Sequence, residues 1–316
     1  MKFSRRSIGK AGLAMAAAAL CAPRGYAAPI GPELPLNEIA EGVFCFSGVH
    51  QLMTAENEGA ICNLGVIVGA DAAAVIDTGG SIAEARALIA AVKKITGKPL
   101  RYALNTHMHP DHVFGNAAFR DIGATVVGHK NLPAALQARG EFYLQRFEGL
   151  MGGRVMRGVE IVAPTLPVSE TLELDLGGRK LQLRAWQPAH TDNDLTVFDS
   201  ASGTLFAGDL VFMQHLPTID GSLLGWMRQL DELAAVKASQ VVPGHGPAPS
   251  VWPEALQAQR RYFDVLARDI RKSISDGEPL IEAVKTAAQS ERGNWALFEE
   301  FNERNATVAY AELEWE

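Results

Sequence analysis

The stretch "NTHMHPDH", Asn105–His112, decides how the rest of the chain is read. It holds three of the eight histidines of a 316-residue chain, with an aspartate and a proline among them. His107 and His109 are two residues apart, and in extended backbone that spacing turns both rings the same way. They can clamp one cation as a pair. Pro110 then turns the backbone, so that Asp111 and His112 emerge in another direction and can serve a second cation. One short loop thus supplies two half-sites, and each needs further ligands.

Three candidates follow at the ends of expected strands. His190 lies in "QPAHTDND", Asp209 in "FAGDL" and His245 in "VVPGHG". Glycine beside Asp209 and on both sides of His245 lets backbone crowd close to an ion. Zinc accepts imidazole nitrogen and carboxylate oxygen, and catalytic zinc keeps a position open for water. Seven residues therefore suffice for two ions with one bridging carboxylate.

The flanking sequence reads as layered α/β. Short strands are expected at Val43–Gly48, Ile61–Val68 and Ala72–Ile76, the last running into "DTGG". Ser81 and Glu84 form a capping-box pattern. Ala85, Leu88, Ile89, Val92 and Ile95 then recur at helical spacing up to Gly97. A strand at Arg101–Leu104 delivers the chain into the histidine cluster. A helix is expected from about Val113 to Gly123, then a strand in "ATVVGH". Residues 130–160 are helical in character and read as a lid or wall beside the site. Strands resume with "TLELDL", "KLQLRAW", "LTVFD" and "TLFAGD", and beyond Pro253 the chain reads as helix. No internal repeat or low-complexity tract interrupts this order.

Composition narrows the function classes. Apolar residues make up 47% and charged residues 21%, the balance of an ordinary globular enzyme. Residues 1–27 read as a twin-arginine-type signal peptide, with "SRRSIGK" before the apolar run Ala11–Ala22 and cleavage after Ala27. The mature chain would then be periplasmic. Removing that segment takes away Lys2, Arg5, Arg6, Lys10 and Arg24 and no acidic residue, so the formal charge moves from -7 to -12. Such a chain repels polyanions, and nucleic acid is not expected as a partner. No later run of about twenty apolar residues suggests a membrane span. Cys45 and Cys62 could pair in an oxidising compartment or stay as buried thiols, and the sequence leaves both open.

"THMHPDH" with His190, "GD" and "PGHG" resembles the metallo-β-lactamase superfamily over roughly residues 35–250. The resemblance implies an αββα sandwich at residues 28–250, with residues 251–316 as C-terminal helices on the same domain. It implies that His107, His109 and His190 hold one metal, that Asp111, His112 and His245 hold the other, and that Asp209 bridges both. Asp77 of "DTGG" would buttress the metal loop. Two Zn2+ ions are expected, with iron or manganese as alternatives. About 3.5–4 Å apart, such ions share a hydroxide that is nucleophilic at neutral pH. Asp111 would be the catalytic residue that orients it.

The bridging aspartate resembles thioesterase-like, lactonase-like and phosphodiesterase-like members more than enzymes that open β-lactams. "GDLVFMQHLPTIDGSLLGWMRQL" and the closing "FNERNATVAYAELEWE" resemble the quinoprotein relay system zinc metallohydrolases, which implies a link to periplasmic quinoprotein oxidation. The expected function is hydrolysis of a small ester, thioester or lactone. The alternatives are β-lactamase activity, a mononuclear iron persulfide dioxygenase-like oxidoreductase and a metal-binding accessory protein without turnover. His50, His129 and His215 are expected in structural or surface roles. His50 and Trp226 are weak substrate-contact candidates. Met53 and the apolar residues of 130–160 are expected to serve packing.

Overall fold

The computed structural model describes residues 34–316, so the signal-peptide expectation lies outside the described residues. The first sheet contains β1 (Asn37–Ala40), β2 (Val43–Phe46), β3 (Leu64–Val68), β4 (Ala73–Ile76), β5 (Leu100–Leu104), β6 (Thr125–His129) and β7 (Leu166–Val168), in that spatial order. The second contains β8 (Thr171–Asp175), β9 (Lys180–Ala185), β10 (Leu195–Asp199), β11 (Thr204–Phe212), β12 (Gln240–His245) and β13 (Ser250–Val251), also in sequence order. The helices are α1 (Ile82–Ile95), α2 (Pro110–Val113), α3 (Asn116–Asp121), α4 (Leu132–Val155), α5 (Leu223–Ala234), α6 (Gln257–Ser275), α7 (Leu280–Thr286) and α8 (Phe298–Leu313).

The two sheets face each other across an apolar layer. Ile67, Ile76, Leu104 and Val127 of the first meet Leu181, Leu183, Val197 and Phe206 of the second. In β9 the leucines are buried while Lys180 and Gln182 stay exposed, the period-two pattern of a half-buried strand. Outside the first sheet, α1 and α3 cover Val66, Val75 and Ala103. Outside the second, α5, α6 and α8 bury Trp226, Tyr262, Phe263 and Leu313. The result is the αββα sandwich implied by the resemblance, with the C-terminal helices packed on the second sheet. Among the described residues no helix is long and apolar enough to cross a membrane.

Local chemistry explains the element boundaries. Ser81 Oγ accepts the Glu84 N–H, and Glu84 Oε2 accepts the N–H of Gly80, one residue before the cap, at 2.7 Å. The helix expected from Val113 to Gly123 is shorter: α2 already ends at Val113 and α3 starts at Asn116, with the Gly115 N–H between them donating to the Gly79 carbonyl. The strand expected at Ile61–Val68 begins later, at Leu64. Asn63 there turns its side chain outward from the ladder and donates to the carbonyls of Pro243 and Gly246. The expected wall at 130–160 is α4. The sequence pattern gave no separate indication of β1 or β7, the strands at the two edges of the first sheet.

Candidate functional site

Parallel strand pairs deliver the site. β4 and β5 run parallel, so the residues leaving their carboxyl ends, Asp77 and Asn105–His112, fall side by side. β11 and β12 are also parallel, which sets Asp209 beside the His245 strand. Leu195 N–H donates to the Thr106 carbonyl at 2.7 Å and ties the second sheet to the histidine loop. Two glycines permit the approach. A Cβ on Gly244 would lie 1.9 Å from Asp209 Oδ1, and one on Gly208, at φ +52°, would lie 2.6 Å from Thr106 Cβ.

All seven candidate ligands converge. His109 Nδ1 lies 3.1 Å from His107 Nε2 and 2.9 Å from His190 Nε2. Asp209 Oδ2 completes this group at 3.4 Å from His190 Nε2 and 3.7 Å from His107 Nε2. In the second group Asp111 Oδ2 lies 3.3 Å from both His112 Nε2 and His245 Nε2. Asp209 Oδ1 is 3.2 Å from His112 Nε2, so this carboxylate reaches both groups. Neighbouring ligands around a tetrahedral zinc at its usual bond lengths stand about 3.3 Å apart, and these spacings match.

The opposite face of each ring explains the convergence. His190 Nδ1 donates to the Thr218 carbonyl at 2.7 Å and His245 Nδ1 to the Ile61 carbonyl at 3.0 Å. His112 Nδ1 donates to Asp77 at 2.8 Å and His109 Nε2 to Asp220 at 3.1 Å. His107 Nδ1 lies 3.0 Å from the Thr106 hydroxyl, which donates in turn to Asp77. With those nitrogens engaged as donors, the others point bare lone pairs at one another. Among the described residues, buried His112 Nε2 and Asp209 Oδ1 have no hydrogen-bond partner. Facing lone pairs repel unless a cation or proton sits between them, and outer partners of this kind fix the tautomer that a metal needs. The donor set fits metal cations, and Asp209 belongs to more than one of the groups that could hold them.

Charge is arranged to match. Burial holds His107 well below its usual range and takes His190 down to about 3, so both stay neutral and free to coordinate. Burial pulls His245 down as well, but Asp209 and Asp111 outweigh it and raise that ring to about 9. Burial opposes ionisation of Asp111 and Asp209, yet the surrounding histidines hold both well below the usual carboxylate range. Cys62 also approaches Asp111 and His112. Its thiol donates to the Asp111 carbonyl at 2.9 Å and burial pushes its pKa well up, so it is a poor ligand. Cys45 and Cys62 are both free and buried, which resolves the pairing left open above.

A cavity of about 880 Å3 opens over the ligands. The face of α4 carrying Arg139, Phe142, Tyr143, Arg146, Phe147 and Leu150 forms one wall. Met53 and those apolar α4 residues therefore line the site as well as packing. His215 also lines it, stacked on His245 at 4.9 Å, so its role is not remote from the ligands. Trp226 is fully buried with its indole N–H on the Leu210 carbonyl, which removes it as a substrate contact. His50 and His129 lie outside the cavity lining.

Asp220 is not among the candidates read from the sequence. Besides His109 it binds Arg139 of α4 and Arg304 of α8. Asn305 holds the same loop by accepting the Ile219 N–H and donating to the Pro217 carbonyl. The closing helix is thus part of the site architecture. A lone aspartate in "PTIDG" carries no motif, so only the fold reveals it.

Comparison with known proteins agrees with this geometry. The chain is 23% identical to a linear primary-alkylsulfatase of Pseudomonas sp. (strain ATCC 19151), over 67% of this chain and 47% of that one. It spans about half the length of that relative. It is also 23% identical to the beta-lactamase-like protein 2 homolog of Caenorhabditis elegans, over 71% of this chain and 68% of the relative. A metallo-beta-lactamase from Pontibacter korlensis superposes with a TM-score of 0.60 at 19% identity, covering 73% of this chain and 99% of that one, a likeness of fold. The family model of the metallo-beta-lactamase superfamily matches residues 58–245, more than half of the chain and the stretch that carries all seven groups from His107 to His245, so the chain belongs to that superfamily.

Proposed function

We propose that this protein is an exported dinuclear zinc hydrolase of small esters, thioesters or lactones. The observation that carries the reading is the sharing of Asp209 between two groups of inward-facing nitrogens, with every outward ring nitrogen engaged. When bound, two such ions would activate water and polarise the oxygen of the scissile group. The chain's own residues do the rest. His107, His109 and His190 would hold one ion; Asp111, His112 and His245 the other. Asp111 stays ionised and exposes its edge to the cavity, where it can orient a hydrogen-bond donor. Asp77 and Asp220 hold the rings of His112 and His109 in place.

The relationship to quinoprotein relay system zinc metallohydrolases belongs to the same proposal. It is supported by the contact between its two characteristic segments, where Arg304 and Asn305 of the closing helix grip the loop around Asp220. Export is tested by fractionation and N-terminal sequencing, with mature protein beginning at Ala28 expected.

The deciding experiment joins metal analysis to a substrate panel of esters, thioesters, lactones, β-lactams and alkyl sulfates. Two zinc ions per chain with turnover of an acyl substrate is the expected result. Iron with oxygen uptake would replace the reading with an oxidoreductase. A dizinc protein inert on the whole panel would leave a metal-binding accessory protein.

A further inference from the structure

The walls of the cavity indicate what kind of molecule enters it. Leu52, Phe142 and Leu150 are 45%, 60% and 53% exposed, and all three line this one cavity. Large apolar side chains left in water beside a concave site mark a surface that a ligand covers. Phe142, Arg146 and Leu150 follow one another at four-residue spacing on α4, so they form a single stripe with a cation between two apolar groups.

Arg146 has no ion-pair or hydrogen-bond partner among the described residues. The other two arginines of the cavity, Arg139 and Arg304, are both held by Asp220. The carboxylates of the cavity are committed as well. Asp111 and Asp209 face the histidine rings, and Asp220 is shared among two arginines and His109. No cavity carboxylate remains to receive a cationic ligand, while one guanidinium remains to receive an anion. Of the three arginines and three aspartates that line the cavity, Arg146 is the one left unpaired among the described residues.

We propose that the site takes amphipathic organic anions. The alkyl or aryl body lies against Leu52, Phe142 and Leu150. A singly charged carboxylate or sulfonate group, separate from the bond that is broken, pairs with Arg146. This names the substrate class of the hydrolase proposed above and rests on that reading for its catalytic meaning, but the binding itself needs no turnover.

The test is calorimetric titration of the full chain with octane-1-sulfonate and with 1-octanol. The sulfonate is a poor metal ligand and cannot be hydrolysed. Wild type is expected to bind the sulfonate at least tenfold more tightly than the alcohol. Arg146→Gln should lose that preference while binding the alcohol unchanged, and Arg146→Lys should restore much of it. Phe142→Ser should weaken both ligands. Equal affinity of wild type for the two ligands, or undiminished sulfonate binding by Arg146→Gln, overturns the proposal. Failure of the hydrolase panel would leave these titrations intact, so the two readings fail separately.

Discussion

Replacing Asp77 by asparagine tests the whole arrangement of the second half-site. Asp77 is buried and accepts three bonds of 2.8 Å, from Thr106 N–H, the Thr106 hydroxyl and His112 Nδ1. An amide keeps one acceptor oxygen, which can stay on Thr106 N–H. Its nitrogen then faces His112 Nδ1 donor against donor. The imidazole escapes by moving its proton to Nε2, the nitrogen that faces Asp111 and Asp209. That tautomer cannot coordinate a cation. A hydrogen bond to a charged group contributes about 1.5–3 kcal/mol, and removing such an outer partner costs about 10–100-fold in metal affinity. Relief of the buried carboxylate, whose pKa burial raises, offsets part of the stability loss. The expected net loss in unfolding free energy is about 1–2 kcal/mol. Urea unfolding measures the stability, and zinc competition against a chromophoric chelator measures the affinity. One ion should weaken and the other should not. Two ions held as tightly as in wild type would refute the tautomer argument.

Other outcomes follow from the same geometry. Asp209→Ala should lower occupancy of both ions and abolish turnover, because one carboxylate faces both groups; metal stoichiometry after gel filtration checks this, and a fully loaded variant would remove the bridge. Zinc binding to the metal-free chain should release protons, because His245 is raised to about 9 and a cation must displace its proton; affinity should therefore rise with pH up to that range, and titrations in buffers of different ionisation enthalpy that detect no release would contradict it. Glu84 is raised to about 8 by burial, so its contribution to stability is complete below its unfolded value of 4.5 and is lost as pH rises through about 8. Glu84→Gln should flatten the fall in unfolding free energy between pH 5 and pH 9, and a variant with the wild-type slope would count against that assignment.

The sequence by itself determined the features that local spacing decides. Two histidines at an interval of two, a proline and then an aspartate-histidine pair dictate two divergent half-sites within a single loop. The Ser81 helix cap and the alternating leucines of β9 are likewise short-range patterns, and both form, with the return bond of Glu84 landing on Gly80. Glycines beside Asp209 and His245 signalled close approach, which the contact from Gly244 to Asp209 explains.

What only the tertiary structure decided are relations between segments that share no spacing. Asp220 lies 111 residues from His109, and nothing in "PTIDG" marks it as a ring's partner. His215 looked solitary in the chain but stacks on His245, because the register of β11 and β12 brings them together. Trp226 looked accessible, yet α5 turns it into the core. Arg146 becomes informative only because Asp220 occupies its two fellow arginines. Chain order records which groups are present, whereas packing determines which of them are already satisfied, and the unsatisfied ones are those left to meet a ligand.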